Sequence, residues 1–465
     1  MPLLIKNGRI ITATDDYVAD IYCDGETITR IGTSIDPWLC APNTTTIDAA
    51  GKYVFPGFID PHVHVYLPFM GTYAKDTWET ASKAALFGGT TTLIEMICPG
   101  KADEPMAAFE TWLSKAQGVS ACDFTFHMGV TRFDALAEKQ LREIAARGIR
   151  SLKVFLAYKG ALGVDDRELY HTLKLAKELG LIVTAHCENE TLVAEKQVEL
   201  LAAGKVDPRY HEPSRPVRVE ASGVQHLMTF AELTGAEVYV VHTSCDEAVR
   251  EAVAAIERGV KAHVEVVLPH LVLDQSYTEK PGFEGAKYVM SPPLRDKSQL
   301  PKMWNHLASG VVSTVATDHA PFDFEAQKTM GKPAHLGGKG NFTTIPNGIP
   351  SVEDRVNLLY THGVCTGRLT LNQFVACAST NAATIFGMRG KGRIAVGADA
   401  DLVIYDPAYR GTISAKSHSM ATDYSAFEGW EIKGKPSTVT VRGQVVVRDM
   451  QFVAERGHGR LTPRQ

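Results

Sequence analysis

From residue 53 to about residue 390, short apolar runs alternate with amphipathic stretches of helical period, and no other property of the chain restricts its fold as much. Apolar runs of strand length separated by helix-length segments are the pattern of βα units, whose strands lie parallel in one sheet. Eight such runs can be read, ending near His64, Met96, Val130, Tyr158, His186, His242, Val266 and Thr317. The helices between them include Asp76 to Phe87, Asp134 to Arg147, Asp166 to Leu179 and Asp246 to Arg258. Eight consecutive units predict an α/β fold, a (β/α)8 TIM barrel, in which chemically active groups collect at the C-terminal ends of the strands.

The two chain ends have a different texture. Residues 1–52 alternate apolar and polar positions between turn signals, as in Leu3-Leu4-Ile5-Lys6-Asn7-Gly8, and read as short antiparallel strands. The same texture returns over residues 391–465, in Asp401-Leu402-Val403-Ile404-Tyr405 and Thr438-Val439-Thr440-Val441. A small β-sandwich domain built from both ends, beside a barrel over residues 53–390, is the expected organisation. The Gly- and Pro-rich stretch from Pro321 to Pro350 is long for a connection and is expected to be an active-site loop.

Composition narrows the partners. A chain of 465 residues, 45% hydrophobic, can bury a large core. Its net charge is only -5, with no block of like charge and no basic stripe, which argues against nucleic acid and anionic membrane. No segment reaches the roughly 18 uninterrupted apolar residues of a membrane span, and the N-terminal residues lack the regions of a secretory signal, so a soluble cytoplasmic protein is expected. The eight cysteines form no CxxC pair and read as reduced thiols, Cys187 and Cys245 among them as packing residues.

Six side chains that could hold a pair of metal ions stand on the predicted strands or at their ends: His62, His64, Lys153, His186, His242 and Asp318. His62 and His64 are two apart, so on a strand both imidazoles point to one face and can reach one ion. A solitary His-x-His arises by chance on the order of once in two chains this rich in histidine, and a single buried histidine is more often a hydrogen-bonded core residue than a ligand. Packing does not explain why His186 ends Leu181-Ile182-Val183-Thr184-Ala185, His242 ends Glu237-Val238-Tyr239-Val240-Val241, and Asp318 follows Val315-Ala316-Thr317. Two divalent ions about 3.6 Å apart repel by roughly 18 kcal/mol even at an effective dielectric of 20, so such a pair needs anionic bridges. Four neutral histidines and one aspartate do not supply enough of them. Lys153, within Ser151-Leu152-Lys153-Val154-Phe155, has no lone pair while protonated, but N-carboxylation would make it a carboxylate on a long arm.

The combined pattern resembles the amidohydrolase superfamily and, within it, the dihydropyrimidinase/hydantoinase family of cyclic amidohydrolases. The similarity covers nearly the whole chain. Matching motifs are Phe55 to His64, Lys153 to Lys159, Thr184-Ala185-His186-Cys187-Glu188, Met290-Ser291-Pro292-Pro293-Leu294-Arg295, Thr317-Asp318-His319, Ile345-Pro346-Asn347-Gly348 and Gly392 to Val403. One departure is Ala320, where some members carry Cys.

This resemblance implies a role for each residue of the set. His62, His64 and Asp318 would bind one ion, His186 and His242 the other, and Lys153 as N6-carboxylysine would bridge them. The ions would be zinc, with manganese or cobalt as alternatives. The reaction would be hydrolytic opening of a cyclic imide or diamide, a 5,6-dihydropyrimidine or a 5-substituted hydantoin, to an N-carbamoyl amino acid. Asp318 would carry the proton from water to the leaving nitrogen, and the Tyr158 phenol would stabilise the oxyanion. Ser291 and Asn347 would hold the ring amide mainly through backbone groups, and His319 would support the ligands from behind. Tyr66, Leu67 and Phe69 after the first strand, and Phe155 through a parity change or local bend, would line the pocket for the ring substituent. The nearest enzymatic alternatives are allantoinase and dihydroorotase, the latter typically placing an Arg just beyond the His-x-His, where this chain has Val65-Tyr66-Leu67. A non-catalytic relative of the collapsin response mediator type would lack the metal-binding set. A homotetramer is implied as well, with the tail Gln451 to Gln465 expected to contact a neighbouring subunit.

Overall fold

The computed structural model describes residues 2–464. The expected barrel is present. Its strands are β1 (Phe58–Val63), β2 (Thr90–Ile97), β3 (Asp123–Gly129), β4 (Ser151–Phe155), β5 (Ile182–His186), β6 (Glu237–Val240), β7 (Ala262–Val267) and β8 (Thr314–Ala316). They pair in sequence order, each parallel to the next. Helices cover the outside, and their starts follow the polar residues that signal them. Asp134 accepts from the Ala137 N–H ahead of Ala135–Ala146, and Asp165 with Glu168 forms a capping box for Asp166–Leu179, which ends at Gly180 with φ 63°.

The barrel closes just beyond the ends of β8 and β1. Asp318 N donates to His62 O at 3.0 Å and His64 N to His319 O at 2.8 Å. The buried Asp60 carboxylate adds to this seam, accepting from Thr317 N at 3.2 Å and Thr317 Oγ1 at 2.7 Å.

The apolar run Tyr53-Val54-Phe55, which on sequence leads into His62, belongs to a different sheet. Tyr53–Pro56 pairs parallel with Leu3–Ile11 and antiparallel with Leu402–Thr412. The chain then passes through Gly57 into β1. A Cβ there would run into Thr91 Oγ1 and the Asp401 side chain, so the crossing requires glycine. Both runs are apolar and buried, and nothing in the local sequence separates them.

Both chain ends contribute to this second, nine-stranded mixed sheet. Leu3, Ile5, Ile10, Ile21, Val54, Leu402 and Ile404 form part of its own small core. The C-terminal tail packs on its own chain, against both the chain-end sheet and the barrel. Gln451–Phe452 pairs with Gln444–Arg448, Thr462 N donates to Phe124 O at 2.8 Å, and the buried Arg464 donates through Nη1 to Ser151 Oγ at 2.9 Å and through Nη2 to Phe126 O. A buried guanidinium needs acceptors, and the N-terminal end of β4 with the neighbouring β3 main chain provides them. No helix among the described residues is long and apolar enough to cross a membrane, and all eight cysteines are free.

Candidate metal centre

The ends of β1, β4, β5, β6 and β8 open into one cleft, and its lining includes His62, His64, Lys153, His186, His242 and Asp318. Two of these residues, and Tyr158 in the same lining, sit where strands give way to turns under strain. Tyr158, His242 and Asp318 have φ of 62°, 40° and 50°, in the left-handed region that side chains with a Cβ seldom occupy. Each such residue costs on the order of 1–3 kcal/mol and persists only where its surroundings hold it, as at a functional site.

The polar atoms form two adjoining groups. His62 Nε2 and His64 Nε2 each lie 3.1 Å from Asp318 Oδ1, and the candidate ligand atoms of these three residues are all within 4.8 Å of one another. His186 Nδ1 is 2.9 Å from His242 Nε2. The His62 and His242 ring centroids are 5.3 Å apart, which brings the groups together. Lys153 is fully buried, and among the described residues its Nζ has no hydrogen-bond partner. Burial pulls its ammonium down to about 8.

Two buried carboxylates that the sequence reading passed over fix the imidazoles. Glu265, in the middle of β7, accepts from His62 Nδ1 at 2.8 Å and from the His242 N–H at 2.8 Å, and its other oxygen takes the Tyr239 hydroxyl at 2.7 Å. Glu188 bonds His186 Nε2 at 2.8 Å and Arg215 Nη1 at 2.5 Å. Each carboxylate holds the ring nitrogen opposite the one that faces the group, which selects a tautomer and aims the free nitrogen. A lone acid inside the apolar strand Ala262–Val267 was the signal for Glu265; Glu188 stood inside a quoted motif without a role.

The electrostatics suit cations. Burial lowers His64, His186 and His242, favouring neutral imidazoles with free lone pairs. Burial would also lower His62, but Asp318 and Glu265 outweigh it and raise His62 to about 9. Asp318, which burial alone would raise, is held well below the ordinary carboxylate range by His62 and His64.

Around the polar floor stand the remaining lining residues. The Tyr158 ring lies 5.3 Å from that of His186 and edge-on to Phe69 at 5.6 Å, with the Arg215 guanidinium 5.5 Å from its centroid. Burial raises the phenol, which keeps its proton as a donor should. Asn347 Nδ2 donates to Ser291 Oγ at 3.0 Å, tying two segments of the rim. Leu67, Phe69, Phe155 and Leu162 supply the apolar wall, Leu162 being one the sequence reading missed. Phe155 needs no bend: two residues beyond Lys153, it shares that residue's face by ordinary strand alternation.

Tyr66 is not in the lining. Its ring packs 4.8 Å from Trp112 and 5.7 Å from Tyr73, beneath the Lys115 ammonium, because its side chain projects away from that of Leu67. His319 also stays out of the cleft, bonding Asp76 Oδ2 through Nε2 at 2.9 Å and accepting from Ser351 N at 3.1 Å. Cys187 and Cys245 are buried, and their thiols are pushed up by burial.

The whole chain has close relatives. The family model described as the amidohydrolase family matches residues 53–446. A D-hydantoinase of Geobacillus stearothermophilus is 46% identical, over 100% of this chain and 97% of its own. Among solved structures, the D-hydantoinase (dihydropyrimidinase) of a Thermus species superposes with a TM-score of 0.96 at 59% identity, covering 99% of both chains. The dihydropyrimidinase of Brevibacillus agri gives 0.96 at 42% identity, covering 100% of this chain and 99% of that one.

Proposed function

Because this chain belongs to the amidohydrolase family, we propose that its cleft opens small cyclic amides, 5-substituted hydantoins and 5,6-dihydropyrimidines, to N-carbamoyl amino acids. The observation that carries this reading is Lys153. An amine with no partner, buried beside four histidines and an aspartate, makes chemical sense once its nitrogen carries a carboxylate. His62, His64 and Asp318 would hold one ion, His186 and His242 a second, and Lys153, once N-carboxylated, would add the missing anionic ligand. Two ions, zinc by this reading with manganese or cobalt as substitutes, would supply Lewis acidity toward the ring carbonyl and toward water near neutral pH.

The chain's own residues do the rest. Asp318, kept ionised by its histidines, takes the proton of the attacking water and delivers it to the departing ring nitrogen. The Tyr158 phenol donates to the oxygen that gains charge as the carbonyl becomes tetrahedral. Ser291 and Asn347 align the ring amide through backbone groups. Leu67, Phe69, Phe155 and Leu162 pack the ring substituent and exclude water, and their apolar character disfavours a substrate carboxylate such as that of dihydroorotate.

We assign a homotetramer on the same footing. Leu192 and Val198 on the helix Glu190–Ala202, exposed at 43% and 64%, and Trp38 at 92% are among the apolar side chains that such an assembly would cover.

A turnover panel of dihydrouracil, 5-alkyl and 5-aryl hydantoins, dihydroorotate and allantoin on metal-loaded protein, with chiral analysis of products, tests the reading. Hydrolysis confined to dihydroorotate or allantoin would overturn it.

A further inference from the structure

Lys328 lies in the long loop between β8 and the helices that follow, and its side chain is fully buried. Nζ donates to Val289 O and to Pro346 O, each at 3.0 Å. Those carbonyls belong to two distant segments. One leads directly into Ser291 and the other into Asn347, and both side chains line the cleft. Further bonds converge on the same place: Gly348 N donates to Val289 O at 3.0 Å, and His211 Nε2 bonds Met290 O at 2.8 Å. Burial alone acts on the amine, lowering it to about 7, and no carboxylate neutralises it. An apolar side chain of the same length would fill the space without the desolvation cost, so what the amine adds is two directed donors. Ammonium and neutral amine both have enough N–H bonds for the two carbonyls, so the link survives titration.

We propose that Lys328 is a positioning residue for the substrate ring, pinning the Val289 and Pro346 carbonyls so that Ser291 and Asn347 present their groups at a fixed spacing. This rests on the reading of Ser291 and Asn347 as the residues that hold the ring amide. Lys328 makes no hydrogen bond or ion pair with a candidate metal ligand among the described residues, so its loss should act on ring binding and leave metal loading alone.

The test uses the metal-loaded protein and a hydantoin or dihydrouracil that the wild type hydrolyses. Lys328→Met keeps length and volume but removes both donors, and KM should rise by about 10-fold or more, with kcat changed only a few-fold and bound metal unchanged. Lys328→Ala should show the same rise, and added propylamine, which can occupy the vacated space and restore the donors, should lower KM again. The same amine should do nothing for Lys328→Met. A structural role alone would lower Tm without this split between KM and kcat and without rescue. A Lys328→Met enzyme with wild-type KM overturns the role of Lys328; should that variant not fold, an Ala variant whose KM stays at the wild-type value, or rises but does not respond to propylamine, does so. A wild type that opens no cyclic amide overturns the underlying reading, and this proposal with it.

Discussion

A lysine with no hydrogen-bond partner among the described residues, on the floor of a cleft lined by histidines, is costly to bury as an ammonium, and N-carboxylation turns it into a metal-binding anion. For this reason Lys153→Ala is expected to lose most bound metal, measured by elemental analysis of the purified protein, together with nearly all activity. A short carboxylic acid added with metal should restore part of the activity by standing in for the missing carboxylate. Native mass spectrometry showing unmodified Lys153 in an active enzyme holding two ions would contradict this. The Tyr158 phenol is a different case, because it donates a hydrogen bond without holding an ion. Tyr158→Phe should keep its metal while kcat falls by about 100-fold, the usual loss on removing one oxyanion donor. A kcat near the wild-type value would show that the phenol takes no part.

Between elements, two contacts make testable claims. Glu95 on β2 is fully buried, and its Oε1 accepts from the Tyr66 N–H at 2.5 Å, tying the strand to the loop that carries Leu67 and Phe69. Burial raises this carboxyl from 4.5 to about 8. Because the folded value lies above the unfolded one, the protonated side chain contributes its full stability below about 4.5 and loses it as pH rises toward about 8. Glu95→Gln keeps an acceptor but does not titrate. Its Tm relative to wild type should therefore climb across that window, and a difference independent of pH in calorimetry would contradict the assignment. Gly57 is the hinge between the sheet of the chain ends and β1. Gly57→Ala should destabilise the protein by about 1–3 kcal/mol through overpacking against Thr91 and Asp401, read as a lower denaturation midpoint.

For the whole molecule, the tail and the exposed apolar surface both bear on assembly. The tail docks on its own chain through Arg464, and Leu192, Val198 and Trp38 are among the exposed apolar residues that a neighbouring copy would cover. Light scattering at micromolar concentration should give the mass of four chains. Val198→Glu should lower that mass while leaving bound metal unchanged, and a wild type that is monomeric under these conditions would rule the assembly out.

The barrel was legible in the sequence because strand-length apolar runs and helical periods are local properties, and parallel strands with βα connections have few other ways to pack. His62 and His64 could be paired on sequence because a strand repeats every two residues, and that spacing needs no fold to be read. The position of Gly57 between two sheets, the side to which Tyr66 turns, and the docking of Arg464 under its own strands were decided only in three dimensions. So were the bonds from Glu265 to His62, from Glu188 to Arg215 and from Lys328 to Pro346, each joining residues from distant segments. Local patterning records which face of an element is buried. It carries no record of what that face meets, and a buried carboxylate or amine takes its meaning from its partner.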